Sequence, residues 1–312
     1  MLDWKYFQPR SDWKDPRSWI VKSEGRIVAH VGAWPLRIRS SRGIVDSLHP
    51  VDWTSAPEFA GVGALLFRSL TRRVPVMLAL GGTSDAQRVI PSMGFSPIGH
   101  ADVFARSVRP WNQLREQPTP SLRASIRLVR GAVRGLSHRA SRKGWSADAV
   151  EAFSAADIEA VAGTPEVAAA FPESSESALN FALACPGGNG RGFTLSRGGN
   201  RVGYLLLTRP EGQVRIADLR IRSQNPQDWA GAYSLALDLA WEDRRCNEIM
   251  SFASTDLARG ALAANGFQRI GSRVIRLMDK GKILENLPPL QLQSITTDAF
   301  FLTVPSRQYY LV

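Results

Sequence analysis

Apolar and polar positions along this chain alternate between two periods. Val76-Met77-Leu78-Ala79-Leu80 is an unbroken apolar run of strand length, so it is read as a strand buried on both faces. Upstream, SWIVKSEGRIVAHVGAWPLRIRS reads as a strand, a Glu24-Gly25 hairpin turn and a further strand pair. Val45 to Ser55 continues extended, then meets Pro57, Gly61 and Gly63 and turns into a helical pattern ending near Arg72-Arg73. Thr83 to Met93 is a short helix stopped by Gly94, and Phe95 to Arg106 returns as a strand. Pro110 to Pro120 reads as a turn-rich linker. Leu122, Ile126, Val129, Val133 and Leu136 then recur at spacings of four, three, four and three, which predicts an amphipathic helix.

From Ala149 the pattern begins again. Val150 to Phe153 is read as a strand, Ala155–Val161 as a helix behind Ser154, and residues 191–195, 201–207 and 214–221 as strands. Trp229 to Arg244 is a helix, Glu248 to Phe252 a strand, Leu257 to Ala264 a helix stopped by Asn265-Gly266, and Phe267 to Leu277 a strand. Beyond Gly281 the tail is proline-broken, and its apolar Phe300 to Val304 is expected to pair at a sheet edge.

Setting Gly94 over Gly266 aligns Thr83 with Thr255, Ala86 with Ala258, Phe95 with Phe267, Ile98 with Ile270 and Gly99 with Gly271. Leu2 to Pro9 similarly falls on Leu179 to Pro186. Two copies of one α/β unit are expected: residues 1–114, a basic linker at 115–148, and a degenerate copy at 149–312. Copy two has about thirty residues before its Leu179 match, so copy one is expected to lack the opening strand and helix, either because the start is a late start codon or because the tail of copy two substitutes in the sheet.

Charge changes this picture in one place. The net charge of +11 invites a nucleic-acid reading, yet ten basic residues and only Glu116 lie between Arg106 and Asp148. Nine of the eleven net charges thus sit in one connecting segment. With apolar residues at helical spacing, that segment suits weak contact with an anionic membrane surface through Leu122–Leu136, or a solvated face; no specific nucleic acid is expected. Two distant cysteines, Cys185 and Cys246, and the start MLDWKYFQPR suit a reducing cytoplasm rather than a disulfide scaffold or a zinc site. The histidines lack metal-ligand spacing, and no GxSxG elbow or GxxxxGK[ST] loop occurs.

The stretch Val51–Leu70, VDWTSAPEFAGVGALLFRSL, carries the chemistry. A glycine-spaced turn from strand into helix lets backbone N–H groups approach a phosphate at the positive end of a helix. Here PEFAGVGALLFRSL resembles the acyl-CoA pyrophosphate turn of the GCN5-related N-acetyltransferase (GNAT) superfamily, and TSDAQRVIPSMGF resembles the helix and glycine-phenylalanine signature that closes that fold. The resemblance covers Trp4–Leu114 and, more thinly, Ala149–Asp279. WKY near the start and FARSVRPWNQL further resemble a bacterial subgroup associated with polysaccharide biosynthesis.

The resemblance implies a tandem α/β (α+β) acyl-CoA N-acyltransferase fold, with acetyl-CoA as co-substrate, no metal, and a small-molecule or sugar-precursor amine as acceptor. It places cofactor contacts at Trp53, Thr54, Ser55, Ala60, Gly61, Val62, Gly63 and Ala64. The family turn's arginine or glutamine, glycine, and glycine or alanine fall on Ala60, Gly63 and Leu65. Its usual tyrosine acid falls on Ile90 and Leu262, and its usual asparagine on Thr83. Among His49, Asp52 and Glu58, Asp52 is the expected base because it lies on the strand feeding the turn; His49, before Pro50, is read as capping a loop. Arg222 to Pro226 replaces the glycine turn in copy two, so that copy is not expected to bind coenzyme A. A non-catalytic binding or scaffold protein that kept the fold and lost the chemistry is the rival reading, and an aminoacyl-tRNA-dependent transferase is a third.

Overall fold

The computed structural model describes residues 1–40, 43–115, 138–162, 171–210, 212–284 and 290–301, together with 122, 125, 126, 129 and 133. Twelve strands form one sheet. The first unit supplies a π-helical turn at Asp3–Phe7, then β1 (Ser18–Ser23), β2 (Arg26–Ser40), β3 (Gly43–Ser55), α1 (Ala60–Leu70), β4 (Val76–Leu80), α2 (Ser84–Val89) and β5 (Ser96–Ser107). After α3 (Pro110–Arg115), the second supplies β6 (Trp145–Val150), α4 (Ala155–Ala162), the two-residue β7 (Phe171–Pro172), α5 (Glu176–Leu183), β8 (Arg191–Arg197), β9 (Asn200–Thr208), β10 (Gln213–Ile221), α6 (Pro226–Glu242), β11 (Glu248–Ala253), α7 (Asp256–Ala264) and β12 (Gln268–Asp279).

The order strand–strand–strand–helix–strand–helix–strand therefore recurs, and local chemistry recurs with it. Thr83 caps α2 by accepting from the Ala86 N–H at 3.2 Å, and Thr255 caps α7 from the Ala258 N–H at 3.4 Å. Gly94 and Gly266 then take φ of 90° and 72°, the left-handed conformation that turns each chain out of its helix.

The two units are interleaved. Sheet order runs β1-β2-β3-β4-β12-β5-β11-β10-β9-β8-β6, so each unit's last strand pairs with the other unit's parallel strand. β12 lies antiparallel to β4 from Ile275↔Leu80 to Asp279↔Val76, and β5 lies antiparallel to β11 from Glu248↔Ser107 to Ala253↔Asp102. β4 is buried on both faces, as its apolar run predicts: Val76 and Leu78 join one core, Met77 and Ala79 another. β9 divides its residues the same way, Leu205 and Leu207 under α6, Tyr204 and Leu206 towards the opposite face. That opposite core is shared by both units, with Trp4 stacked on Phe181 at 4.5 Å and edge-on to Phe301 at 5.1 Å.

Several expectations change. The stretch Arg26–Ser40 is one long strand rather than a strand pair. The strand placed at Val150–Phe153 lies earlier, at Trp145–Val150, and Pro110–Arg115 is helical where a linker turn was expected. Phe300 and Phe301 do not pair at a sheet edge; they plug the shared core, where an aromatic pair buries more apolar surface than an edge strand exposes to water on one side. Residues 302–304 lie outside the described residues, as does Leu136. β1 ends the sheet, and no described strand stands beside it as β6 stands beside β8. The described part of the tail does not stand there: Ser294–Thr296 and Asp298–Phe300 are 3₁₀ turns in the core.

Candidate active site

Parallel strands β3 and β4 pair only at Ser47↔Val76 and Leu48↔Met77. Beyond Leu48 they part, and β3 carries a bulge opposite Val31 that puts Asp52 at φ 48°. His49 sits in the fork. Its Nδ1 lies 3.0 Å from the Leu78 carbonyl across the gap. A carbonyl can only accept, so Nδ1 carries the proton and the neutral ring keeps its lone pair on Nε2. Burial pushes His49 below the ordinary histidine range, against the opposing pull of the Leu78 hydrogen bond and Asp298, so the ring is neutral at neutral pH.

His49 lines a cavity of about 430 Å³ at the seam between the units, walled by Leu80, Gly81, Gly82 and Arg273 and by Thr297 and Asp298 from the tail. Gly81 and Gly82 end β4 at φ 75° and 97°, a turn that side chains disfavour.

Asp52 does not line this cavity, and its carboxylate is engaged by neighbours. Lys5, buried to 3 %, places its ammonium 2.6 Å from Asp52 and 2.7 Å from Asp298. The Tyr6 hydroxyl donates to the same Asp52 oxygen, and the Asp52 carbonyl accepts from His30 Nδ1 at 2.9 Å. Burial would raise the Asp52 carboxyl, but the hydrogen bonds from Lys5 and Tyr6 outweigh it and hold the group below the usual carboxylate range. Such a carboxylate is a weak base. Burial and the bond to Asp52 keep the Tyr6 phenol protonated well above its ordinary range. Tyr6 reaches Asp52 by lying over Gly32, where any Cβ would come 2.5 Å from its hydroxyl oxygen. Sequence reasoning passed over His49 and missed Lys5, Tyr6 and Asp298, because the pairings span 47 and 293 residues and leave no local spacing.

The glycine turn divides into two roles. A Cβ on Gly63 would meet the Cβ and Oγ of Ser55 at 2.8 Å, so this glycine lets α1 close onto β3. Trp53 secures that contact, its indole N–H donating to the Gly63 carbonyl at 2.9 Å and its ring lying 4.7 Å from Phe67. Gly61 faces open space, and a methyl on its Cα would have no neighbour within 4 Å. Phe59 gives α1 no side-chain cap, and its first turn holds no acid. Ala60, Gly61, Val62, Gly63 and Ala64 therefore begin a helix whose first turn has neither a side-chain cap nor an acid, and Thr54 and Ser55 end the strand that leads to it.

The equivalent place in the second unit is closed twice. Asn225 caps α6 by accepting from the Gln227 N–H at 2.9 Å, and Asp228 brings a carboxylate into the first turn, bonded by Ser223 at 2.6 Å and paired with Arg197. Strands β10 and β11 also part, after Ile216↔Ser251, but the chain's own tail enters that fork. The Gln293 amide takes both backbone groups of Leu219, at 3.0 and 2.5 Å, while Ser254 Oγ donates to the Leu290 carbonyl at 2.5 Å and accepts from the Leu292 N–H at 2.7 Å. Asp218, at the β10 bulge as Asp52 is at the β3 bulge, is fully buried and bonded by Tyr204, Ser174 and Arg220.

Among the described residues no group of three metal-binding side chains occurs, and no helix is long and apolar enough to cross a membrane. No family sequence model and no curated protein sequence matches the chain. Solved structures do. An N-myristoyltransferase of Saccharomyces cerevisiae with bound myristoyl-CoA is similar over 95% of this chain and 74% of its own, at TM-score 0.60 and 11% identity. A GCN5-related N-acetyltransferase from Anabaena variabilis is similar over 84% and 62%, at 0.57 and 11%, and one from Kribbella flavida over 84% and 59%, at 0.53 and 16%. The chain thus spans about three fifths of those two acetyltransferases' length. The chain has the fold shared by the GCN5-related N-acetyltransferases and the N-myristoyltransferases.

Proposed function

We propose that this chain is an N-acyltransferase that takes an acyl group from acyl-CoA in the first unit's fork and passes it to an amine in the cavity at the seam. The contrast between the two forks carries this reading. One has an uncapped helix start and parted strands; the other is capped, acidic and filled by the tail. In the first, the helix start at 60–64 would receive the pyrophosphate, and the free edge of β3 around Trp53 would receive the donor's amide groups.

His49 Nε2 accepts a proton from the acceptor ammonium, and the amine nitrogen attacks the thioester carbonyl. A C–N bond forms, the C–S bond breaks, and coenzyme A leaves as its thiolate, which takes up the second proton that the nitrogen sheds as the amide forms. The Lys5–Asp52–Asp298 bridge fixes the wall facing the base. A cavity of about 430 Å³ lined by Arg273, Thr297 and Asp298 suits a small polar amine rather than a protein side chain on a large substrate. Acetyl as the transferred group, and a sugar precursor as acceptor, follow the sequence resemblance.

The rival reading, a binding protein without chemistry, draws on Ile90, which is 5 % exposed in the α1 core where the family's tyrosine would stand. Calorimetric titration with acetyl-CoA and longer acyl-CoAs, followed by release of free thiol in the presence of amine acceptors, separates the two. Binding with amine-dependent thiol release supports catalysis; binding without it, or no binding at millimolar acyl-CoA, overturns the acyltransferase reading and leaves the scaffold reading in its place.

A further inference from the structure

We propose that the segment joining the two units is a docking surface for an anionic lipid bilayer. Residues 122, 125, 126, 129 and 133 are helical, and Leu122, Ile126, Val129 and Val133 stand at spacings that share one helix face. All four are exposed, at 77, 58, 54 and 61 %. Four large apolar side chains open to water on one face are unusual for a structural connector, which would turn them into the core.

Charge selects the occupant. Four of the segment's ten basic residues are committed to the folded body. Arg139 and Arg142 pair with Asp238, Arg106 donates to the Asn265 carbonyl, and Arg109 donates to the carbonyls of Trp241, Asp243 and Cys246. Arg123, Arg127, Arg130 and Arg134 are interleaved in sequence with the apolar positions, and only Glu116 opposes them before Asp148. An exposed apolar face in a segment whose sequence interleaves four arginines matches the acyl boundary and phosphate layer of an anionic leaflet.

Two indoles extend the same character onto the folded body. Trp111 in α3 is 70 % exposed and Trp241 at the end of α6 is 61 % exposed, with the Arg109 guanidinium 5.5 Å from the Trp241 ring. Tryptophan beside arginine is the pairing found at headgroup depth. A nucleic acid would be met instead by aromatic rings set along a basic groove, whereas the four apolar residues of the helix face are aliphatic.

Co-sedimentation of the full chain with vesicles tests this, using phosphatidylcholine alone and phosphatidylcholine with one third phosphatidylglycerol, at low and high salt. Binding is expected only to the anionic vesicles and should fall at least tenfold as salt rises, since each basic side chain near the surface contributes about fivefold to partitioning. The double variant Ile126→Glu/Val129→Glu should lose binding without loss of thermal stability, because both sites are exposed. Arg127→Glu should weaken it by roughly tenfold or more. Absence of binding to anionic vesicles at low salt overturns the proposal. Equal binding to neutral vesicles does so too, as does retained binding in the double variant combined with displacement by single-stranded RNA, which would assign the surface to nucleic acid.

Discussion

Gly61 and Gly63 are two residues apart, yet substitution should separate stability from ligand response at the first and merge them at the second. A side chain at Gly61 meets nothing within 4 Å and enters the second helical position of α1. Replacing glycine there removes about 0.8–1 kcal/mol of helix cost, and a carboxylate in the first turn adds about 0.3–1 kcal/mol through the helix dipole. Gly61→Glu should thus raise the unliganded melting temperature by about 2 °C for a chain of this size. The same carboxylate opposes a pyrophosphate, and loss of one or two hydrogen bonds to charged groups, at about 1.5–3 kcal/mol each, weakens acyl-CoA binding roughly tenfold to several hundredfold. The acyl-CoA-induced rise in melting temperature should disappear in a protein that is itself more stable. Gly63→Ala, by contrast, drives a methyl to 2.8 Å from Ser55 and should cost about 1–3 kcal/mol before any ligand is added. Gln227→Glu is the matched control: it is exposed at the second position of α6 and should leave the response intact. Scanning fluorimetry with and without millimolar acetyl-CoA reads all three. A Gly61→Glu protein that still responds, or a Gln227→Glu protein that does not, refutes the placement of the donor site.

Other expectations follow from the same geometry. His49→Gln can keep the bond to the Leu78 carbonyl but not the proton-accepting nitrogen, so kcat should fall about 10²–10⁴-fold with acyl-CoA affinity unchanged, measured by thiol release. Because burial places the folded His49 pKa below its unfolded value near 6.5, the acid limb of kcat/KM should lie below pH 6.5; a limb above it would remove His49 as base. Asp52 has a lowered folded pKa, so its stabilising share is full above about pH 4 and is lost as pH falls through the folded value. Asp52→Asn should therefore lose less stability than wild type between pH 5 and pH 2 in urea titrations. Gln293→Ala, which frees the backbone of Leu219, should lower thermal stability by about 1–3 kcal/mol yet leave calorimetric stoichiometry at about one acyl-CoA per chain, since the cap and acid of α6 persist. A second binding event in that variant would show the tail, not the helix start, to be the barrier.

Legibility in the sequence tracked the range of the interactions. The Thr83 and Thr255 caps, the left-handed Gly94 and Gly266, and the doubly buried β4 are set by neighbours a few residues away, and local patterning shows them. The interleaving of β5 and β12 is set by which edge each last strand meets, and both edges, Val76–Leu80 and Glu248–Ala253, are buried along almost their whole length, so no residue marks the exchange. The site follows the same rule. The glycine turn was visible as a motif, but its motif-matching glycine, Gly63, is explained by helix-to-strand packing, while Gly61, outside the motif, is the open one. His49 was readable as a residue and not as a role. Its neutral state comes from burial in a fork whose second prong, the Leu78 carbonyl, is 29 residues away.

The tail explains why the two forks differ. After β12 it crosses the second fork, where Gln293 satisfies the backbone groups of Leu219 that the parting strands leave open, and Ser254 holds the tail's own Leu290 carbonyl and Leu292 N–H; buried groups of that kind cost about 1–3 kcal/mol each when unpaired. It then runs to the first unit, where the Ile295 carbonyl accepts from the Trp34 indole at 2.9 Å and Asp298 completes the bridge on Lys5. One segment thus closes one fork and furnishes the other. Without it Lys5 would face Asp52 alone and the second fork would be open to water. With it, Arg273, Thr297 and Asp298 of the second unit complete the wall of a cavity that His49, Leu80, Gly81 and Gly82 of the first begin.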